Sequence, residues 1–121
     1  MLYWGKHLVL NAARGNKNVK SAYAITTFSQ RLVSAIDMKP YGNPIVIHFG
    51  SDNKAGWTLT QLIETSNIMG HFCDSSGDFY IDVFSCKDYD ERIVEALVKE
   101  VFSPERLESK IIFRDANKEL V

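Results

Sequence analysis

Hydrophobic and polar positions alternate between two periods along this chain, and the switches between them mark its elements. His7-Leu8-Val9-Leu10 reads as a short strand, followed by a turn at Gly15-Asn16-Lys17-Asn18. From about Val19 to Met38 the apolar residues Ile25, Phe28, Leu32 and Ile36, with Val33 beside them, form one stripe at a 3.6-residue period. That predicts a helix with Asn18 as its cap, stopped before Pro40, since proline disfavours helix at the preceding residue.

The period then shortens. The β-branched run Pro44 to Phe49 predicts a strand, and Gly50 to Gly56 a polar turn. Trp57 to Glu64 and Ile68 to Cys73 predict two more strands, with a turn at Asp74-Ser75-Ser76-Gly77. In Phe79 to Cys86, Phe79, Ile81 and Val83 face one side while Tyr80, Asp82 and Phe84 face the other. A second helix is expected from Asp88, with Glu91 at capping-box spacing. Val94, Leu97, Val98, Val101 and Phe102 would be its buried face, and Ser103-Pro104 its end. Lys110 to Phe113 predicts a last strand, and Asp115 to Val121 a polar tail.

The predicted order is β-α-β-β-β-β-α-β. Four successive strands with short turns imply antiparallel pairing. Two amphipathic helices can cover one face of a sheet, so the fold class is α+β, a two-layer sandwich with a mainly antiparallel sheet. The second sheet face must meet solvent or a partner, and its apolar content makes a dimer reasonable.

Composition narrows the class without naming a function. The 121 residues are one domain's worth of chain, 1–121, with neither repeat nor linker. With 14 Lys+Arg against 15 Asp+Glu, the formal charge of −1 gives no broad electrostatic case for nucleic acid. No apolar run approaches the roughly 18 residues of a membrane span. The opening Met1 to His7 does not read as a signal peptide. The two cysteines, Cys73 and Cys86, are too few for a disulfide scaffold and are expected as thiols in the cytoplasm. No metal site is expected, because His7, His48, His71, Cys73 and Cys86 show no ligand spacing.

Singly, the titratable residues say little: Cys86 reads as a small buried hydrophobe, His71 as a hydrogen-bonded structural residue and Ser66 as a turn serine. Together they read differently. Thr65-Ser66-Asn67 is followed by His71 five residues after Ser66, and by Asp82-Val83-Phe84-Ser85-Cys86, whose cysteine lies twenty residues after Ser66. This pattern, with the opening Gly5-Lys6-His7-Leu8-Val9, the two helices and the chain length, resembles the short prokaryotic branch of the S-adenosylmethionine decarboxylase family over nearly the whole chain.

The resemblance implies a self-processing enzyme. Ser66 would attack the carbonyl of Thr65, the chain would part between 65 and 66, and Ser66 would become a pyruvoyl cofactor that serves as electron sink when carbon dioxide leaves the substrate. It implies processing roles for His71, as proton acceptor, and for Thr58, which stands where the family has a serine. Cys86 would be the proton donor to the decarboxylated carbon. Phe49 would stack on adenine, and His7 matches a family histidine with no assigned role. It further implies a homodimer with shared sites, S-adenosylmethionine as small-molecule substrate, and supply of the aminopropyl donor for spermidine.

Three departures from the family pattern bear on this reading. Thr65 stands where the family has Glu, with Glu64 displaced by one, and Asn67 replaces a histidine. Shifting the register to make Thr65 the nucleophile would restore Glu64 but break the spacing to His71 and Cys86, so Ser66 is preferred. Ser75 replaces the Glu that binds the ribose hydroxyls in the family pattern, and a single hydroxyl oxygen cannot receive a diol bidentately as the two oxygens of a carboxylate do. Asp74 supplies a neighbouring carboxylate, and with Phe49 and Glu64 completes the expected substrate-binding set. Two alternatives follow from these departures. One is a pyruvoyl-dependent decarboxylase of another amino acid, such as ornithine or arginine. The other is an unprocessed, silent homologue that binds a nucleoside ligand or a partner subunit.

Overall fold

A computed structural model describes residues 1–120. Six strands form one sheet: β1 Gly5–Ala13, β2 Ile45–Phe49, β3 Gly56–Ile63, β4 Ser66–Cys73, β5 Phe79–Ser85 and β6 Arg106–Arg114. The helices are α1 Ala22–Ala35 and α2 Glu91–Phe102. The sheet order is β2-β3-β4-β5-β1-β6, and every neighbouring pair is antiparallel. The element order is the expected β-α-β-β-β-β-α-β, and the class is α+β.

Strand alternation places the core. Leu8, Leu10 and Ala12 of β1, Leu59 and Ile63 of β3, Ile68 and Phe72 of β4, and Phe79, Ile81 and Val83 of β5 are all buried. They share one cluster with Ile25, Phe28, Leu32 and Val33 of α1 and with Val94, Leu97, Val98 and Phe102 of α2. Both helices therefore cover the same sheet face. Each of the Val, Leu, Ile and Phe side chains among them contributes about 1.5–3 kcal/mol on burial. The aromatic residues interlock at the centre, with Phe28 edge-on to Phe102 at 5.0 Å and Phe72 stacked on Phe79 at 5.5 Å.

The opposite face carries the out-pointing residues, among them Thr58, His71, Tyr80, Phe84 and His7. Its β2 rim exposes Ile45, Ile47 and Phe49, and Leu62 of β3 is exposed beside them.

Several boundaries differ from the sequence reading. Ser21, not Asn18, caps α1, accepting the Ala24 N–H at 3.0 Å. Asn16 caps a single 3-10 turn, Lys17–Lys20, and the Asn18 amide donates instead to the Val101 carbonyl at 2.8 Å. α1 stops at Ala35, and Asp37 takes a positive φ of 57° just beyond it. α2 starts at Glu91 with Asp90 as its cap. Asp88 is diverted to the Tyr89 N–H and to Lys6. β6 extends well beyond 110–113, because it is an edge strand whose polar residues hide the alternation.

Lys6 fixes α2 to β1. It is buried on the helix-covered side, and its ammonium donates to the Tyr89 carbonyl at 2.6 Å, to Glu91 at 2.7 Å and to Asp88 at 3.2 Å. Burial alone would pull its pKa down, but the hydrogen bonds and charges of Glu91 and Asp88 outweigh that and raise it. The same bonds hold both carboxyls below their ordinary range.

Candidate active site

Glu64 and Thr65 form a two-residue turn between β3 and β4, with Ile63 paired to Ser66. Such turns favour positive φ at the loop residues, which suits Gly or Asn. Neither Glu64 nor Thr65 takes one; Ser66 does instead, with φ 154°. That region is essentially glycine's, and a side chain there costs about 1–3 kcal/mol.

The surroundings of the turn hold this conformation. The Cys86 N–H donates to the Thr65 carbonyl at 2.9 Å, and the Glu64 N–H donates to the Lys39 carbonyl at 3.0 Å. Pro40 bridges to Ile63. The Ser85 hydroxyl, fully buried, donates to Thr65 Oγ1 at 2.8 Å, and Thr65 Oγ1 lies 3.3 Å from the Met38 sulfur. The Thr65 hydroxyl is thus engaged on both sides. Ser66 Oγ, half-buried, has no such partner among the described residues.

The sequence-derived residues divide into two groups. Ser66 and Cys86 come together: Ser66 is in register with Ser85, and exposed Cys86 follows it opposite Thr65. His71 does not join them within one chain. It lies on the same continuous strand as Ser66, five residues on, or roughly 16 Å at the usual rise per residue. Within one continuous strand that separation keeps His71 away from Ser66 of the same chain. His71 meets Thr58 instead: the two are cross-strand partners, with Thr58 Oγ1 3.4 Å from His71 Nδ1.

Phe49 belongs to the His71 end. It pairs with Gly56, two positions from Thr58, and its ring is exposed. Asp74 is engaged by His48, with Nε2 to Oδ2 at 2.6 Å. Glu64 is exposed at the turn. His7 contacts Asp82 at 3.0 Å, and its ring lies 5.5 Å from that of Phe84.

Two hollows border the sheet. One, of about 670 Å³, is lined by Trp4, Phe84, Arg114 and the segment after β6. Phe84 is in register with Asn67, and the Arg114 guanidinium lies 4.3 Å over its ring. Near His71, a cavity of about 510 Å³ is bounded by Lys54, Cys73, Asp78 and Tyr80. Burial pushes the Cys73 thiol pKa up, marking it as an ordinary thiol rather than an activated one. Among the described residues no three His, Cys, Asp or Glu side chains group to hold a metal ion, and no helix is long and apolar enough to cross a membrane.

Sequence reasoning missed Ser85, Met38 and Lys39. Ser85 had a signal: its parity with Ile81 and Val83 turns it inward beside the β3–β4 turn. Met38 and Lys39 had none, since their role depends on the α1–β2 connection returning to the turn.

No curated protein sequence matches the chain. A crystal structure of the adenosylmethionine decarboxylase from Aquifex aeolicus VF5 matches with a TM-score of 0.81, covering 97% of this chain and 95% of that one at 18% identity. The likeness establishes a shared fold. A family model described as S-adenosylmethionine decarboxylase matches residues 6–115. With that match spanning nearly its whole length, the chain belongs to the S-adenosylmethionine decarboxylase family.

Proposed function

We propose that this chain is a self-processing proenzyme that cuts itself between Thr65 and Ser66 and then decarboxylates S-adenosylmethionine, supplying the aminopropyl donor for spermidine. The observation that carries the reading is the turn itself: a strained serine with an unengaged hydroxyl, beside a carbonyl already held by the Cys86 N–H.

In this reading Ser66 Oγ attacks the Thr65 carbonyl carbon while the Cys86 N–H holds the developing oxyanion. The C–N bond breaks, the hydroxyl proton passes to the freed amine, and an ester joins Thr65 to Ser66. Removal of the Ser66 α-proton then expels Thr65 as a carboxylate. Water hydrolyses the remaining enamine, through its imine tautomer, and releases ammonia, leaving a pyruvoyl group at the start of the second fragment. The residues fit that group, because its parent serine has a free hydroxyl and Cys86 lies exposed across the turn. Once formed, the group supplies an electron sink for decarboxylation. Cys86 delivers the proton to the carbon that loses carbon dioxide.

The α-proton needs a base, and His71 suits that task near neutral pH. Its separation from Ser66 along β4 supports a homodimer in which His71, oriented by Thr58, serves the Ser66 of a second copy. The exposed apolar β2 rim and open sheet face favour such pairing. Phe49, Asp74 and Glu64 are read as the substrate contacts, with Asp74 having to leave His48 to reach a ribose. The enzyme is read as cytoplasmic.

One observation favours a second substrate. Ser75 replaces a carboxylate and Asp74 is already engaged, so a smaller amino acid such as ornithine or arginine has less to lose here. Release of labelled carbon dioxide separates the two. Carboxyl-labelled S-adenosylmethionine is expected to yield it, and release from ornithine or arginine alone would overturn the assignment.

A further inference from the structure

Three hydroxyl or sulfur groups at the turn form a directed chain. The Lys87 N–H donates to Ser85 Oγ at 2.9 Å, Ser85 donates to Thr65 Oγ1 at 2.8 Å, and Thr65 faces the Met38 sulfur at 3.3 Å. Ser85 has a single proton. With Lys87 filling an acceptor site, that proton is directed to Thr65, the nearer of its two acceptors, since Met38 lies at 3.8 Å. Thr65 in turn spends its own proton on Met38.

We infer that Ser85 is a positioning residue for self-cleavage, holding the Thr65 side chain so that the strained Ser66 hydroxyl and the Cys86-bound carbonyl stay aligned. The inference rests on the self-processing reading above. Three observations meet in it. Ser85 is fully buried, so its bond to Thr65 is not exchanged with water. The Thr65 carbonyl is fixed separately by the Cys86 N–H, so side chain and carbonyl together restrict the residue whose bond breaks. Ser66 holds φ 154°, a conformation that persists only where its neighbours over-determine it. The chain also occupies the competing hydroxyls, leaving Ser66 as the available nucleophile. It further gives β-branched Thr65 a task that the glutamate of the family pattern would not perform in the same way.

The test is a double-mutant cycle read by intact mass over time, with melting temperature recorded for each variant. Ser85→Ala and Thr65→Val each remove one end of the same bond, and valine keeps the β-branching beside the attacked carbon. Each is expected to slow cleavage at least roughly tenfold, the factor for a lost buried hydrogen bond. The double variant is expected to be no slower than the slower single one. Ser85→Thr, which keeps the hydroxyl, is expected to restore cleavage. Hydroxylamine, which attacks the Thr65–Ser66 ester to give a Thr65 hydroxamate and a second fragment that begins with an intact Ser66, should trap less ester in Ser85→Ala, placing the defect in the first step. A folded Ser85→Ala chain that cleaves at the parental rate, or additive effects in the double variant, would overturn the inference and leave self-processing standing. A parental chain that stays whole would overturn both.

Discussion

At one end of β4, Ser66 sits in a turn held by the Cys86 N–H, the Lys39 carbonyl and the Ser85 hydroxyl. At the other end His71 lies on an open face with one long contact to Thr58. The first end has the groups needed to strain and polarise a peptide within a single chain. The second has an imidazole beside a hydroxyl but no strained peptide. A regular strand separates them by roughly 16 Å, so the two ends do not meet within one chain. Chemistry is therefore expected to divide the same way: ester formation belongs to the Ser66 end, and α-proton removal to the His71 end.

The largest effect should come from removing the nucleophile. Ser66→Ala is expected to give one uncut chain by mass spectrometry under all conditions. Next is a mixing experiment. Ser66→Ala and His71→Ala chains, each uncut alone, are expected to yield fragments of the His71→Ala chain when refolded together, because one site of the mixed dimer then regains both groups. Fragments from neither chain in the mixture would place His71 in its own chain's site and break the comparison.

A smaller effect should follow at Lys6, which fixes α2 beside Cys86. Lys6→Met is expected to lose about 2 kcal/mol in denaturant unfolding, the scale for hydrogen bonds to charged groups. The pH dependence has a definite sign. Glu91 and Asp88 titrate below their ordinary values of 4.5 and 3.8 in the folded protein. Their contribution is present above those values and lost as pH falls through the lowered ones. The Lys6→Met variant should show a shallower acid limb. The smallest change is expected for Asp74→Asn, whose partly exposed pair with His48 is worth under about 1 kcal/mol. A rise in KM for S-adenosylmethionine in that variant would therefore report a lost substrate contact rather than a weakened fold.

Much of this fold was legible from periodicity. The order of strands and helices, and the one-sided placement of Ile25, Phe28 and Leu32, follow from where apolar residues recur. The sequence does not single out Ser21 and Asp90 as caps, because Asn18 and Asp88 carry equally good side chains and only tertiary contacts divert them. The full span of β6 is hidden in the sequence, because an edge strand needs few apolar residues. The site was half legible. The family resemblance grouped Ser66, His71 and Cys86, but spacing along the chain does not say which of them meet within one molecule. The hold of Met38 and Ser85 on Thr65 was invisible, since it joins residues 27 and 20 positions apart.

Cleavage would also leave an interleaved molecule. In the order β2-β3-β4-β5-β1-β6, the contacts β3–β4, β5–β1 and β1–β6 each join strands from opposite sides of the 65–66 bond. The two pieces should stay together until denatured, because neither has a full sheet or core of its own.

The most direct measurement is the intact mass of the purified protein under denaturing conditions. Self-processing at Ser66 predicts two species, of 65 and 56 residues, in place of the 13.7 kDa chain of 121, with the second beginning in a pyruvoyl group. A single species at 13.7 kDa after prolonged incubation would contradict it.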